Sequence, residues 1–312
     1  SLKIQEINKQ SARMQQIYNM ILNLAPTDTS VVIQGEEGTE KALVARCIHL
    51  NSSRKDKPFD VYNCSAYPRF IVESGLFGHE TGAFEGAVSQ KKGCLERNNG
   101  GTVFLSEIDK MSPLTQIKLQ DFLQEGSIKR LGGKKSIKTD VRIIAAVNTD
   151  LGKEVEKGTF NEEFSYMLNV INIHLPSLRQ RKDDIPLLIE CFLEILNLEI
   201  GKNVSGVTSD TMQILMDYSW PGNVKELENS IQHAFLLAEG EEVKRELLPS
   251  RILHEVLKEK NEGITSFEEN EKRFLMKILQ ENNWNKLKVA KQLNVSRSTL
   301  YSKLNKYNLT VN

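Results

Sequence analysis

The chain has 312 residues, more than one small core accommodates, so two or three domains are expected. Its 39% hydrophobic and 26% charged content is that of an ordinary globular protein, and 41 basic residues balance 41 acidic ones, leaving no overall field for nucleic acid. No run approaches the ~18 apolar residues that cross a bilayer, and Ser1-Leu2-Lys3-Ile4 opens no export signal, so a cytoplasmic protein with no membrane contact is expected.

Short β-rich runs alternate with helical stretches from residue 1 to 178. The runs are Ser30–Gln34, Phe59–Tyr62, Thr102–Leu105, Val141–Ala146 and Val170–Ile173. Most are nearly continuous in apolar or β-branched residues, as parallel strands covered on both faces should be, so an α/β layered domain is predicted over 1–178. Asp183 to about Lys260 shows only helical spacing, as in Ile185, Leu188, Ile189 and Phe192, which predicts an all-α subdomain over 179–260. Lys258–Gly263 reads as a polar linker, and Ser266-x-x-Glu269 as a capping box opening a third, helical unit over 261–312. The scattered Cys47, Cys64, Cys94 and Cys191 have neither disulfide nor metal-ligand spacing, so they are read as buried hydrophobes and no metal site is expected from them. Because the sequence opens on Ser1 rather than Met, further upstream domains are expected.

The run Val31–Gln34 leads into Gly35-Glu36-Glu37-Gly38-Thr39-Glu40-Lys41 and the helical Ala42–Ile48. A strand, a Gly-bearing turn, a Lys and a helix form the context of a phosphate loop. Backbone N–H groups and the helix N-terminus face the phosphates, and the Lys neutralises them. An ordinary strand–turn–helix fits this segment too. Two positions depart from the general pattern: Glu40 stands where Gly is usual and Ala42 where a hydroxyl is usual. If the left-handed region is required at Glu40, strain of ~1–2 kcal/mol follows. Its carboxylate would repel each phosphate charge by roughly 3 kcal/mol at ~5 Å and an effective dielectric of ~20, unless it turns to solvent or pairs with Lys41.

Further motifs follow in one order. Phe77–Ala87 contains Gly82-Ala83-Phe84-Glu85-Gly86-Ala87, and Asn99–Ile108 reads as a strand ending in Ser106-Glu107. Val141–Asn148, Leu175–Leu188 and Trp220–Asn229 come next. Together they resemble the phosphate loop, sigma-contact loop, Walker B strand, sensor I, linker and sensor II of the sigma-54-dependent, NtrC-like AAA+ transcription regulators. The resemblance covers nearly the whole chain. It implies a parallel-sheet P-loop domain, an all-α lid and a DNA-binding end, with ATP or ADP as ligand and sigma-54 RNA polymerase and other copies of the chain as partners.

The same resemblance marks what is altered. Glu107 matches the water-activating Glu, Asn63 the Asn that holds it, and Asn148 the sensor I residue. Ser106 replaces the metal-associated Asp, so magnesium is expected to be held weakly or not at all. Asn161 and Met167 stand where the family carries trans-acting arginines, each of a kind contributing on the order of 10³–10⁵ in rate. Lys225 stands for the sensor II Arg, keeping charge but losing the bidentate fork. In the sigma-contact loop Glu85 replaces the Thr that engages sigma-54, while Phe84 is retained, either as part of that contact or as a loop aromatic packed against a neighbouring subunit.

From Trp284 to Tyr307 the charged residues are Lys286, Lys288, Lys291, Arg297, Lys303 and Lys306, with no Asp or Glu. Asn285–Leu293 reads as one short helix, Asn294-Val295 as a turn, and Ser296 as the cap of a second helix through Tyr307. This is a helix-turn-helix resembling the FIS-type domain of the same family. Ala290 lets the helices approach; Leu293, Val295, Leu300 and Leu304 form the shared core. Arg297, Ser298, Thr299 and Tyr301 are candidates for base edges, and Lys303 and Lys306 for phosphates of double-stranded DNA. Phe267, Phe274, Leu275 and Ile278 on the preceding helix are candidates for a dimer contact. Three functions are therefore weighed: a DNA-binding regulator on a degenerate AAA+ scaffold with little or no ATP hydrolysis; an active ATPase remodelling sigma-54 polymerase, with a related subunit donating arginines; and a sigma-54-independent regulator using the AAA+ domain for assembly.

Overall fold

The computed structural model describes residues 11–263, 267–282, 284–307 and 309, with side chains described for the same residues except 12, 257–263, 267–270 and 273. The chain divides into two compact units, Ser1–Pro249 and Ser250–Asn312.

The first unit is built on five parallel strands: β1 (Val31–Gln34), β2 (Phe59–Asn63), β3 (Thr102–Ser106), β4 (Arg142–Val147) and β5 (Ile171–His174). Their order is β2-β3-β4-β1-β5. Each of the five β-rich runs in the sequence forms one of them. Side chains alternate between the faces, so Val31, Ile33, Phe104, Ile144, Ala146 and Ile173 share one core with α1 (Ala12–Leu24) and α2 (Lys41–Leu50). Val32, Val103, Leu105, Ile143, Ala145 and Val147 share the other with α3 (Arg69–Phe77) and α4 (Pro113–Glu125). Burial on both faces is why the central strands β1, β3 and β4 are mostly apolar, whereas the edge strands β2 and β5 carry exposed and polar positions. Two short helices, α5 (Leu151–Glu156) and α6 (Glu162–Leu168), follow β4. The buried Arg142 at the start of β4 donates to the carbonyls of Ala25 (2.8 Å) and Leu24 (3.1 Å), answering the partial negative charge at the end of α1.

The lid that follows packs α7 (Ile185–Ile200), α8 (Ser209–Asp217) and α9 (Asn223–Leu237). Helical spacing alone did not show the two-residue parallel pairing of Gly206–Val207 with Glu242–Val243 in this region, because such a short pairing leaves no periodicity. Trp220 is fully buried and donates its indole N–H to Leu215 O at 2.8 Å.

In the second unit, α10 (Ser250–Gly263) runs through the segment expected to be a linker, so Lys258–Gly263 is helical. The capping box at Ser266 lies outside the described residues. Helices α11 (Phe267–Glu281), α12 (Lys286–Gln292) and α13 (Arg297–Lys306) follow. Leu275, Ile278 and Leu279 of α11 join Val289, Ala290, Leu300 and Leu304 in one buried cluster, with Leu293 and Val295 against it. Leu275 and Ile278 therefore serve this core and are not available as dimer contacts, whereas Phe274 is 55% exposed. The Phe267 side chain lies outside the described residues. All four cysteines are buried, and burial pushes the Cys47 thiol up to about 11.

Candidate nucleotide site and nucleic-acid interface

The phosphate loop leaves the carboxyl end of β1, where open parallel sheets place their ligands. Gly35 N–H donates to Val147 O (3.2 Å), and the loop turns through Gly38 at φ +77° and Glu40 at φ +70°. The left-handed conformation at Glu40 is the one the family reserves for Gly, so the expected strain is present. Its carboxylate makes no ion pair with Lys41 among the described contacts. It lines a cavity with Arg181 and Glu228, and burial, then Glu228, raises its pKa against the pull of Lys225 and Arg181. The rest of the lining is mostly apolar, from Ile17, Ile21, Leu43, Val44, Leu188 and Val224. The space open to a water centre is about 110 Å³, against the ~10–15 Å³ that a single water needs.

Lys41 is anchored. Its Nζ donates to Gly35 O (2.7 Å), Glu36 O (2.8 Å) and Asn148 Oδ1 (2.7 Å), so the phosphate-loop cation and the sensor I residue are directly joined. Burial lowers the Lys41 pKa, opposed by several carboxylates. Thr39 is buried, its hydroxyl donating to Glu36 O at 2.7 Å. Ala42, on the first turn of α2, supplies no polar side-chain atom.

The lid closes on this loop. Asn223 Nδ2 donates to Glu37 O (2.8 Å) and Glu36 Oε2 (3.2 Å), while its Oδ1 accepts from Leu178 N (2.8 Å). The Glu36 carboxylate is bonded to Arg179, whose hydrogen bonds hold its pKa down. A Cβ on Gly38 would sit 2.1 Å from Gly222 O, so only glycine permits this approach. Lys225 donates its backbone N–H to Gly38 O (3.3 Å), but its Nζ bonds Glu228 (2.7 Å) instead of reaching over the loop.

At the end of β3, Glu107 adopts a left-handed conformation (φ +56°) and is clasped from two sides. Asn63 Nδ2 donates at 3.3 Å and Ser65 Oγ at 2.6 Å. Asn63 was legible in the sequence; Ser65 was not, although it lies two residues further along the same loop and donates to Asn63 Oδ1 as well (3.0 Å). Ser106, half-buried, ends the strand beside Asn63 in register.

Asn161 and Met167 lie at the two ends of α6. Asn161 caps that helix, accepting from Phe164 N at 2.8 Å, and Met167 Sδ accepts from Gln124 Nε2 at 3.6 Å. In the loop Gly82–Ala87, Glu85 is exposed and Ala87 buried. Phe84 does not require a neighbouring subunit: its ring lies 6.0 Å from Phe70 and 5.0 Å from His79 of the same chain.

In the second unit, Ser296 caps α13, accepting from Thr299 N at 3.1 Å, and Asn294 makes the turn at φ +52°. Arg297, Ser298, Thr299 and Tyr301 are exposed along one helix start, with Lys286 Nζ 5.4 Å from the Tyr301 ring. Lys306 is exposed and lies over Tyr307. Lys303 is bound to Glu271 of α11, which also accepts from Tyr307 Oη (2.5 Å), so this lysine is tethered within the fold.

Three families match successive parts of the chain. They are described as the Sigma-54 interaction domain over 7–174, the AAA+ ATPase lid domain over 179–265, and the Fis family of bacterial regulatory proteins over 266–307. The chain is 42% identical over 297 residues to the transcriptional regulatory protein ZraR of Salmonella typhimurium, covering 95% of this chain and 67% of that one. It is 41% identical over 308 residues to the regulatory protein AtoC of Escherichia coli, covering 96% and 67%. The crystal structure of NtrX from Brucella abortus in complex with ATP superposes with a TM-score of 0.72 at 32% identity, covering 96% of this chain and 68% of that chain. NtrX in complex with ADP gives 0.73 at 31% identity, covering 96% and 69%. No described helix is long and apolar enough to cross a membrane.

Proposed function

The chain belongs to the sigma-54-dependent transcription regulators, and on that premise we propose that it binds double-stranded DNA through residues 284–307 and holds ATP or ADP at Lys41 for assembly, with little or no hydrolysis. The ATP- and ADP-bound NtrX structures support the nucleotide, as does the cavity beside Thr39 and Leu43, which offers an apolar slot next to the loop. Lys41 would exchange its contacts with the Gly35 and Glu36 carbonyls for phosphate oxygens.

The observation that carries slow turnover is the neutral pair at α6. Asn161 and Met167 have no charge to offer an adjoining subunit, and an arginine supplied in trans is worth roughly 4–7 kcal/mol of barrier. Lys225, committed to Glu228, leaves that deficit standing. The Glu107 clasp supports the second reading, an active ATPase completed by a related subunit, because Asn63 and Ser65 already hold a carboxylate in the water-activating place.

Steady-state phosphate release with and without target DNA tests the proposal. Turnover near zero is expected. Addition of a family member that carries both arginines should restore it under the second reading only. Ordinary AAA+ rates from the chain alone would overturn the proposal.

A further inference from the structure

We propose that Asp109 is the carboxylate that holds the magnesium of a bound nucleotide, in the place vacated at Ser106. The inference rests on the reading that the cleft takes a nucleotide. β1 and β3 are parallel and end on the same edge of the sheet, so the segment after Ser106 returns beside the phosphate loop. That segment is a 3-10 turn, Ile108–Lys110, which packs against β4, the strand leading to Asn148.

The Asp109 side chain is 1% exposed, yet neither of its oxygens accepts a hydrogen bond. Its ion-pair neighbour among the described residues is Lys110, 3.6 Å from Oδ2 and itself 58% exposed. A buried carboxylate left without hydrogen bonds is costly, and structures keep one where an ion or ligand completes it. Its surroundings are those of the cleft. Among the carboxylates that favour the charged form of Lys41, Asp109 acts most strongly, ahead of Glu37, Glu107 and Glu36. Burial first, then Glu107 and Asp109, pushes the Cys64 thiol up, so the two carboxylates share one region. Lys41 gives Asp109 no hydrogen bond, because its three donors are spent on Gly35, Glu36 and Asn148.

Magnesium in nucleotide sites takes one or two carboxylates and completes its shell with phosphate oxygens and water. The lost Asp at 106 and the orphaned Asp at 109 are three residues apart on one edge, which makes a transfer of the ligand between them geometrically simple.

Calorimetric titration of the full chain with ADP, in magnesium and in EDTA, tests this. Magnesium should tighten binding to the wild type about tenfold or more. Asp109→Asn should bring the ratio of the two affinities to about 1, and adding Ser106→Asp to that variant should restore it. Retention of the full magnesium effect by Asp109→Asn overturns the proposal. Equal ADP affinity in magnesium and EDTA for the wild type overturns it while leaving the nucleotide reading intact; no ADP binding in either buffer removes both. Electron paramagnetic resonance of Mn²⁺ with ADP and wild-type protein needs no variant. A protein carboxylate in the manganese shell is expected, and a shell of water and phosphate alone counts against Asp109.

Discussion

Glu40 concentrates two costs in one residue: a left-handed backbone outside glycine, and a half-buried carboxylate in a mostly apolar cavity near Glu228. Because its folded pKa is raised above the unfolded value, the folded state binds the proton more tightly. The associated stability is fully present below about pH 4.5 and is lost as pH rises through the folded pKa. Glu40→Gln should therefore gain in thermal stability over the wild type as pH increases from 4.5 to 8, read as a widening difference in Tm. Glu40→Gly should add relief of ~1 kcal/mol of backbone strain, a rise of roughly 2–4 °C for a unit of this size. A Tm difference that stays flat with pH would place the carboxylate in water rather than in the cavity.

Among the elements, the second unit shows how a neutral chain presents a basic face. Helices α12 and α13 carry no acidic residue, but Glu271 on α11 reaches across to Lys303 and Tyr307. This contact holds the end of α13 against α11 and subtracts one cation from the surface. Glu271→Gln should release Lys303, strengthen DNA binding regardless of sequence, and steepen the log K against log salt slope by about 0.9, the increment of one phosphate contact. An unchanged slope in filter-binding or anisotropy titrations would show that Lys303 does not reach the backbone. The loop Gly82–Ala87 presents a second element-scale contrast. Phe84 is braced inside the chain by Phe70 and His79, leaving Glu85 exposed at the tip. Glu85→Thr should increase retention of sigma-54 on the immobilised chain at least several-fold if the family's contact is otherwise intact. No gain would point to polymerase without sigma-54 as the partner.

For the whole molecule, the balance of charges hides a division of labour between a nucleotide-loop unit and a basic helical one. Replacing Asn161 and Met167 together by Arg should raise phosphate release by ~10³-fold or more if adjoining copies present α6 to the cleft. Asn161→Arg also removes the cap on Phe164 N, at about 1 kcal/mol, so folded fraction must be followed alongside the rate. Rates that remain at the wild-type level in a folded double variant would mean that the neutral pair is not what limits turnover.

The amino-acid order alone determined the five strands, the phosphate-loop context and the helix-turn-helix, because each depends on local periodicity or on a turn that a few neighbouring residues dictate. It also marked Asn63, Glu107 and Asn148, which sit in recognisable segments. Tertiary structure alone decided where side chains point once the loops meet. It sent Glu40 into a cavity, Glu36 to Arg179, Lys303 to Glu271, and Leu275 and Ile278 inward. It also brought Ser65 to Glu107 and Asn223 to the phosphate loop. Contacts such as Asn223 to Glu37 join residues 186 positions apart, and no spacing within one segment encodes which distant carbonyl or carboxylate a side chain will meet.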